Sequence, residues 1–432
     1  MTVLDVRPST TRLLYGLAGT GADLTTHLAT HGPLPVPSRL RPQWQEAVLH
    51  EVESSGLTGR GGAGFPAYRK MRAARRSGPG AVLLVNAMEG EPASGKDEYL
   101  LTFAPHLVLD GAELVALAVG ASTVVICVPA ERRAQIADLK RALGQRLSLP
   151  YERPNCRVKA LPGHYVSGEE SALVSAVAGK ESVPQFHPDK SVGLRLGRQP
   201  VLVHNAETLG HVALICRHGA HWFRQVGAPE APGTSLVTIS GAVRQPGILE
   251  VETGLPLGDM IAAARPVPDV QAVLVGGYGG TWVSARNLSV PFGPQSLKAV
   301  GASMGAGVLF VLARGSCGLF ETEIIARYLA GEGAGQCGPC LFGLPAIADD
   351  LALIVRGQPQ PRDLERLRTR CGLVAGRGAC GHPDGAARLV NSALGVFQGD
   401  ANYHMRFGPC PGCRLPATAP VPSRFTRKVE PA

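Results

Sequence analysis

Two sets of residues in this chain have the types and spacing to do chemistry. The first is a glycine loop, Gly59-Arg60-Gly61-Gly62-Ala63-Gly64-Phe65-Pro66, with Gly56 just before it. So many residues without a Cβ let backbone amides press against a phosphate or a flat ring, which makes the loop a cradle for a nucleotide. The second is cysteine: Cys337-Gly-Pro-Cys340 and Cys410-Pro-Gly-Cys413 repeat the C-x-x-C spacing that binds a metal or an iron–sulfur cluster. No Ser-His-Asp or Cys-His signature accompanies them, so the reaction falls to bound cofactors that the protein aligns.

Gly59, Gly61 and Gly64 spell G-x-G-x-x-G, but the dinucleotide fingerprint of that form follows a strand. Here the stretch from Trp44 to Val52 puts Val48, Leu49 and Val52 on one helical face, so the loop is not an ordinary Rossmann turn. Taken alone it reads equally as a glycine-rich surface turn. Its company decides. Lys70 follows; Ala81 to Val85 runs as a strand into Asn86-Ala87-Met88-Glu89-Gly90-Glu91-Pro92 and Lys96-Asp97. Tyr165 to Leu173, then Val203-His204-Asn205-Ala206-Glu207-Thr208, then Gln336 to Cys340 complete an ordered series.

This series resembles the NADH-dehydrogenase flavoprotein (the F subunit) of bacterial respiratory complex I and its relatives in NAD-linked hydrogenases and formate dehydrogenases, over roughly residues 40 to 400. The resemblance implies FMN contacts at Arg60, Gly61, Gly62, Lys70, Asn86, Glu89, Gly168, Glu169 and Asn205. It implies NADH contacts at Phe65, which would stack on the dinucleotide, and at Glu91 and Glu170. Where this sequence departs from the family, the departures gather on the NADH side. Met88 replaces an acidic residue, His204 replaces the first of two asparagines, and an ungapped alignment puts Lys190 at a stacking phenylalanine, with Phe186 out of register.

The family's C-x-x-C-x-x-C and a later fourth cysteine hold one 4Fe-4S cluster. They map onto Ala334, Cys337, Cys340 and Cys380, so one thiolate is missing. Cys410 is taken as the replacement, with Cys413 beside it; Cys371 and His382 stand behind them. A three-iron cluster, a zinc site on the same thiolates and no metal remain open. Cys127, Cys156, Cys216 and Cys317 read as small buried apolar residues. With NADH as substrate, FMN and 4Fe-4S together convert two-electron into one-electron transfer. The acceptor is then an electron-carrier protein, a ferredoxin-like or thioredoxin-like iron–sulfur subunit. The rival readings are a ferredoxin-linked oxidoreductase that does not use NADH and a non-catalytic docking or assembly subunit.

The elements that must position these residues follow from periodicity. Residues 1–42 form a lead-in closed by prolines. Residues 43–232 alternate strand-like runs (Ala81–Val85, Thr123–Val128, Val201–His204) with helical ones (Leu107–Val119, Glu131–Leu147, Glu169–Ala178), an α/β domain with a mainly parallel sheet that binds ligands at the strands' carboxyl ends. Residues 233–310 carry short strands around a helix from Leu257 to Ala264 and resemble the family's small β-grasp domain. Residues 311–400 form a four-helix iron–sulfur bundle, and 401–432 a proline-rich tail with its cysteine pair.

The 432 residues carry 43 Lys and Arg against 34 Asp and Glu, a net charge of +9, and only 5% are aromatic. No basic stripe is interleaved with aromatics, which argues against nucleic-acid binding. The longest apolar stretch, Leu114 to Ala130, is broken by Gly120 and Pro129, so no transmembrane helix is expected and the protein is read as cytoplasmic.

Overall fold

A computed structural model describes residues 2–3, 11–17, 23–37, 39–186, 193–422 and 425. A five-stranded sheet takes the order Asn155–Leu161, Thr123–Pro129, Val82–Asn86, Gln199–Asn205, Arg195–Leu196. Its first four strands are parallel and the last runs antiparallel at the edge. From Val82–Asn86 the chain steps outward on one side through two strands, then returns to build Gln199–Asn205 on the other. The crevice at that reversal is where open α/β sheets bind ligands, and the register sets Asn86 directly beside Asn205 there.

Helices cover both faces of this sheet. Pro105–Val119 is buried along its whole length, as the core helix of an α/β layer must be. It packs on helix Ala206–His218 so closely that a Cβ on Gly111 would run into the Leu209 backbone. The lead-in is more than a spacer. The amides of Arg12, Leu13 and Leu14 donate to the buried Glu250 carboxylate at 2.9, 3.0 and 2.9 Å, and Leu13 is buried in the core.

A second, mixed sheet runs Thr2–Val3, Gly247–Glu252, Thr234–Gly241, Val308–Ala313, Val270–Val275, Thr281–Ser284. Alternation along its strands feeds two cores. Val273, Val275, Leu309 and Val311 pack under helix Leu257–Ala263. Ala272, Leu274, Val308, Phe310 and Leu312 face the C-terminal helices instead. Those helices are Gly318–Gly331, Leu344–Arg356, Pro361–Val374, His382–Val396 and Gln398–Phe407. The last was expected as extended tail. It buries only Ala401 and His404, and so lacks the apolar stripe by which a helix is read from sequence.

Candidate active site

The carboxyl ends of Val82–Asn86 and Gln199–Asn205 open into a cavity of about 310 Å³, lined by Arg60, Gly61, Gly62, Asn86, Glu89, Glu91, Gly168 and Asn205, all expected from sequence. Lys96, Asp97, Tyr165, Arg388 and the backbone of Gly276, Gly279, Gly280 and Gly305 complete it. An adjoining cavity of about 270 Å³ shares Arg60, Gly62, Lys96, Ser303 and Gly305 and adds Gly64 and Lys298. A larger, shallower groove of about 1260 Å³ between Thr281–Ser284 and His382–Val396 holds none of the expected residues.

The glycine loop owes its place to its missing side chains. A Cβ on Gly61 would lie 3.3 Å from Asn205 Cβ, and Gly62 (φ 110°) adopts a conformation closed to most residues while it bridges to Gly305 of the second sheet. Arg60 lines the cavity, but its guanidinium is engaged by protein partners. Its guanidinium donates to Thr58 Oγ1 at 3.0 Å and to the Thr234 carbonyl at 3.0 Å, and its amide to Thr208 Oγ1 at 2.9 Å, so it fastens the loop.

The polar ends of the strands are held in fixed orientations. Asn86 Nδ2 donates to the Gly168 carbonyl at 2.8 Å, while Asn205 Nδ2 donates to Asp97 Oδ2 at 2.6 Å. Asn205 Oδ1 accepts from Lys96 Nζ at 3.2 Å and from the Glu207 amide at 3.1 Å, capping helix Ala206–His218. Glu89, at the unusual φ of 41°, accepts from Ser94 Oγ and the Asp97 and Glu98 amides. Lys96 pairs with Asp97 at 2.7 Å and Glu207 at 2.9 Å. Burial alone would lower the Lys96 ammonium, but those carboxylates outweigh it and keep the charge in place. Glu91 accepts from the Tyr278 amide at 2.7 Å, and burial pushes its carboxyl up to about 7.

Four expected residues, Lys70, Glu169, Glu170 and Phe65, stand off the cavity lining. Lys70 forms an ion pair with Glu170, and Glu169 caps helix Glu170–Val177 through the Ser171 and Ala172 amides at 2.9 and 3.0 Å. Phe65 is 45% exposed at the end of the loop, and Phe186 is 68% exposed. Lys190 lies outside the described residues. Met88 is buried among Leu84, Leu161 and Leu173, so the position expected to be acidic faces apolar packing. His204 is buried with Nε2 unpartnered, and burial lowers it to about 3, which keeps it neutral.

On the far side of Tyr165 lie the thiols. Cys337, Cys340 and Cys380 are close enough that burial and then the other two push Cys340 up to about 12. The Gly335 amide donates to Cys340 sulfur and the His382 amide to Cys380 sulfur, the pattern that stabilises cluster thiolates. Beyond Cys340 the chain makes a wide turn, with the Leu344 amide reaching back five residues to the Pro339 carbonyl. A Cβ on Gly333 would lie 3.4 Å from Cys340 Sγ and 3.6 Å from His382 Nε2. His382 Nε2 meets the Leu329 carbonyl at 2.8 Å, leaving its buried Nδ1 without a partner.

Cys410, expected as the replacement ligand, does not join this trio. It stands with Cys413, Cys317 and His404, all four donor atoms within 4.8 Å of one another. Cys317 is therefore no mere packing residue. Its signal was its position as the N-cap of helix Gly318–Gly331, where its sulfur accepts from the Phe320 amide at 3.4 Å.

Residues 52–214 match the Nuo51 FMN-binding domain and residues 322–404 the NADH-ubiquinone oxidoreductase-F iron–sulfur binding region. The second NADH-quinone oxidoreductase F subunit of Rhizobium meliloti (strain 1021) is 30% identical over 402 residues, 90% of this chain and 96% of that one. The chain belongs to the family of NADH-quinone oxidoreductase F subunits. The F subunit of Streptomyces coelicolor is also 30% identical, over 84% of each chain. Among solved structures, the NAD+-reducing NiFe-hydrogenase in the H2-reduced state superposes with a TM-score of 0.81 at 32% identity, over 94% of this chain and 67% of that one. The matched regions include the cavity residues that the first sheet and the glycine loop supply and the thiol trio, whereas the 276–306 side of the cavity, Cys317, Cys410 and Cys413 fall outside them.

Both sites fit their family cofactors. The cradle that a Cβ on Gly61 would fill, the fixed amides of Asn86 and Asn205 and the buried Lys96 suit a flavin mononucleotide. Three neighbouring thiols with amide donors suit an iron–sulfur cluster, with Ala334 the one position that offers no ligand.

Proposed function

We propose that this chain is the NADH-oxidising flavo-iron-sulfur subunit of an electron-transfer assembly and hands electrons to a ferredoxin-like or thioredoxin-like iron–sulfur partner in the cytoplasm. FMN bound in this seat would supply a two-electron hydride acceptor for NADH, and an iron–sulfur cluster on the thiols would supply one-electron transfer. The chain's own residues orient and insulate. Gly61, Gly62, Asn86 and Asn205 form the flavin seat, Glu91 and the exposed Phe65 serve the dinucleotide side, and Cys337, Cys340 and Cys380 hold the iron.

One observation carries the reading: Tyr165 belongs to both sites. It lines the cavity, donates to Glu91 Oε2 at 3.3 Å, and lies with its ring 5.4 Å from that of His382, whose amide meets Cys380. Leu341 and Phe342, 54% and 71% exposed just after Cys340, offer an apolar docking place for the partner. Among the described residues no single helix is long and apolar enough to cross a membrane, in keeping with a partner met in solution. The divisions at residues 42 and 232 are kept as working domain boundaries, while strand Val308–Ala313 and helix Gln398–Phe407 run across those expected at 310 and 400 and move them to 313 and 407. Anaerobically purified protein is expected to be yellow-brown and to bleach on adding NADH; a colourless or unresponsive protein overturns the reading.

A further inference from the structure

Cys317, His404, Cys410 and Cys413 come from three separate pieces of chain. Cys317 opens helix Gly318–Gly331, His404 lies on helix Gln398–Phe407, and Cys410 precedes the turn Pro411–Arg414 that contains Cys413. Cys413 Sγ lies 3.4 Å from His404 Nε2 and 3.6 Å from Cys410 Sγ, and Cys317 Sγ lies 3.8 Å from His404 Nε2. A tetrahedral zinc with ordinary Zn–S and Zn–N bonds sets its sulfurs about 3.8 Å apart and sulfur from nitrogen about 3.6 Å. The observed separations match those edges. A four-iron cube would hold its ligands farther apart than the 4.8 Å that encloses this set.

The surroundings are those of a built site. His404 is fully buried and its Nδ1 bonds the Ile354 carbonyl at 3.1 Å, which fixes the proton on Nδ1 and leaves the Nε2 lone pair facing the sulfurs. The Cys413 amide bonds the Cys410 carbonyl at 3.0 Å, closing the tight turn that presents both thiols to one point. A Cβ on Gly412 would lie 2.6 Å from both the Cys317 amide nitrogen and the Gly315 carbonyl, so only glycine lets this turn seat against the start of the helix.

We propose that these four residues bind one zinc ion that staples the C-terminal segment to the helical bundle. The site is closed, with four protein ligands and no position for substrate, so its role is structural. Each thiol releases its proton to solvent as it ligates. Beyond the staple, the Thr418 and Ala419 amides bond Glu321 at 2.7 and 3.1 Å, and the Pro420 carbonyl accepts from Tyr278 Oη at 2.9 Å. The staple thus holds a segment that touches the same tyrosine whose amide binds Glu91.

The test measures zinc, iron and FMN in the full chain grown with both metals supplied. Wild type is expected to carry about one zinc per chain. Cys413→Ser and His404→Gln are expected to lose the zinc and keep iron and FMN; Cys380→Ser loses iron and keeps zinc. Growth on cobalt should give the intense visible bands of a tetrahedral cobalt–thiolate centre. If the variants do not fold, wild-type stoichiometry and the cobalt spectrum decide alone. Wild type without zinc, or iron lost from Cys413→Ser as it is from Cys380→Ser, overturns the proposal. The flavin and iron readouts keep its failure distinct from failure of the redox function.

Discussion

The Tyr278 amide donates to Glu91 Oε2 at 2.7 Å, so a loop of the second sheet holds an acid at the mouth of the first. The fit is tight: a Cβ on Gly277 would come within 2.5 Å of the same oxygen. Burial raises Glu91 to about 7 from the ordinary 4.5, against the opposing bonds from Tyr278, Ala93 and Tyr165 and with the like charge of Glu89 nearby. The folded protein therefore holds a proton that the unfolded chain has already lost. The stability this adds is complete below 4.5 and gone as pH passes 7. Ionised Glu91 repels an anionic dinucleotide, so the KM for NADH should rise about fivefold as pH climbs through neutrality, the worth of ~1 kcal/mol. Glu91→Gln should flatten that profile; a profile identical to wild type would remove Glu91 from the dinucleotide side.

Gly61 and Gly305 make different demands. A methyl at Gly61 meets Asn205 at 3.3 Å, a contact that a small shift relieves. Gly61→Ala should fold normally and weaken FMN binding about tenfold, or ~1.4 kcal/mol. At Gly305 the φ is 53° and a Cβ would strike the Gly276 carbonyl. Gly305→Ala should lower the Tm and lose FMN together. Flavin fluorescence titration and thermal melts separate the two cases.

Ala334 leaves the thiol trio one ligand short, so Ala334→Cys should raise iron toward about four per chain and slow its loss in air. Cys380→Ser should strip iron while FMN stays bound. Iron assay and EPR of the reduced protein check both.

Arg146 is fully buried and bonds Glu113 Oε2 and Asp110 Oδ1, each at 2.7 Å. Burial alone would raise both carboxyls. For Asp110 the bond from His27 and the charges of Arg146 and Arg217 reverse it, and for Glu113 Arg146, Arg153 and Tyr151 do so; both end below the usual range. Their stabilisation is therefore present above that range and lost as pH falls. Arg146→Met removes the cation that Asp110 and Glu113 share, leaving Arg217 and Arg153 as their remaining charged partners, and should cost about 3 kcal/mol. Urea melts should show that loss, with acid unfolding shifted to higher pH.

A net charge of +9 favours an acidic carrier. Electron delivery to an acidic ferredoxin should slow about tenfold from low to high salt, since screening shortens the reach of the basic surface. A salt-independent rate would point to apolar docking alone.

Much of the site was legible because it is local. Asn86 and Asn205 each end a strand, and parallel pairing sets them side by side. Lys96 appeared in a motif, but its partners Glu207 and Asn205 are distant in sequence, and only packing joins them. Gly276-Gly277-Tyr278-Gly279-Gly280 carries no motif, and its glycine density is the one sign that backbone must approach a ligand or another loop. Lys70 shows the reverse: a lysine just after a glycine loop suggests a phosphate, and here it pairs with Glu170, a partner a hundred residues away that no local pattern names. Cys317 was hidden by its solitude, since its companions lie on a polar helix and beyond it.

The contact between Gly62 and Gly305 also imposes a schedule on biosynthesis. While a ribosome is still making the middle of the chain, the pocket has a floor but no roof. A flavin captured early would face open water, so cofactor loading has to wait for, or itself drive, the closing of the second half over the first.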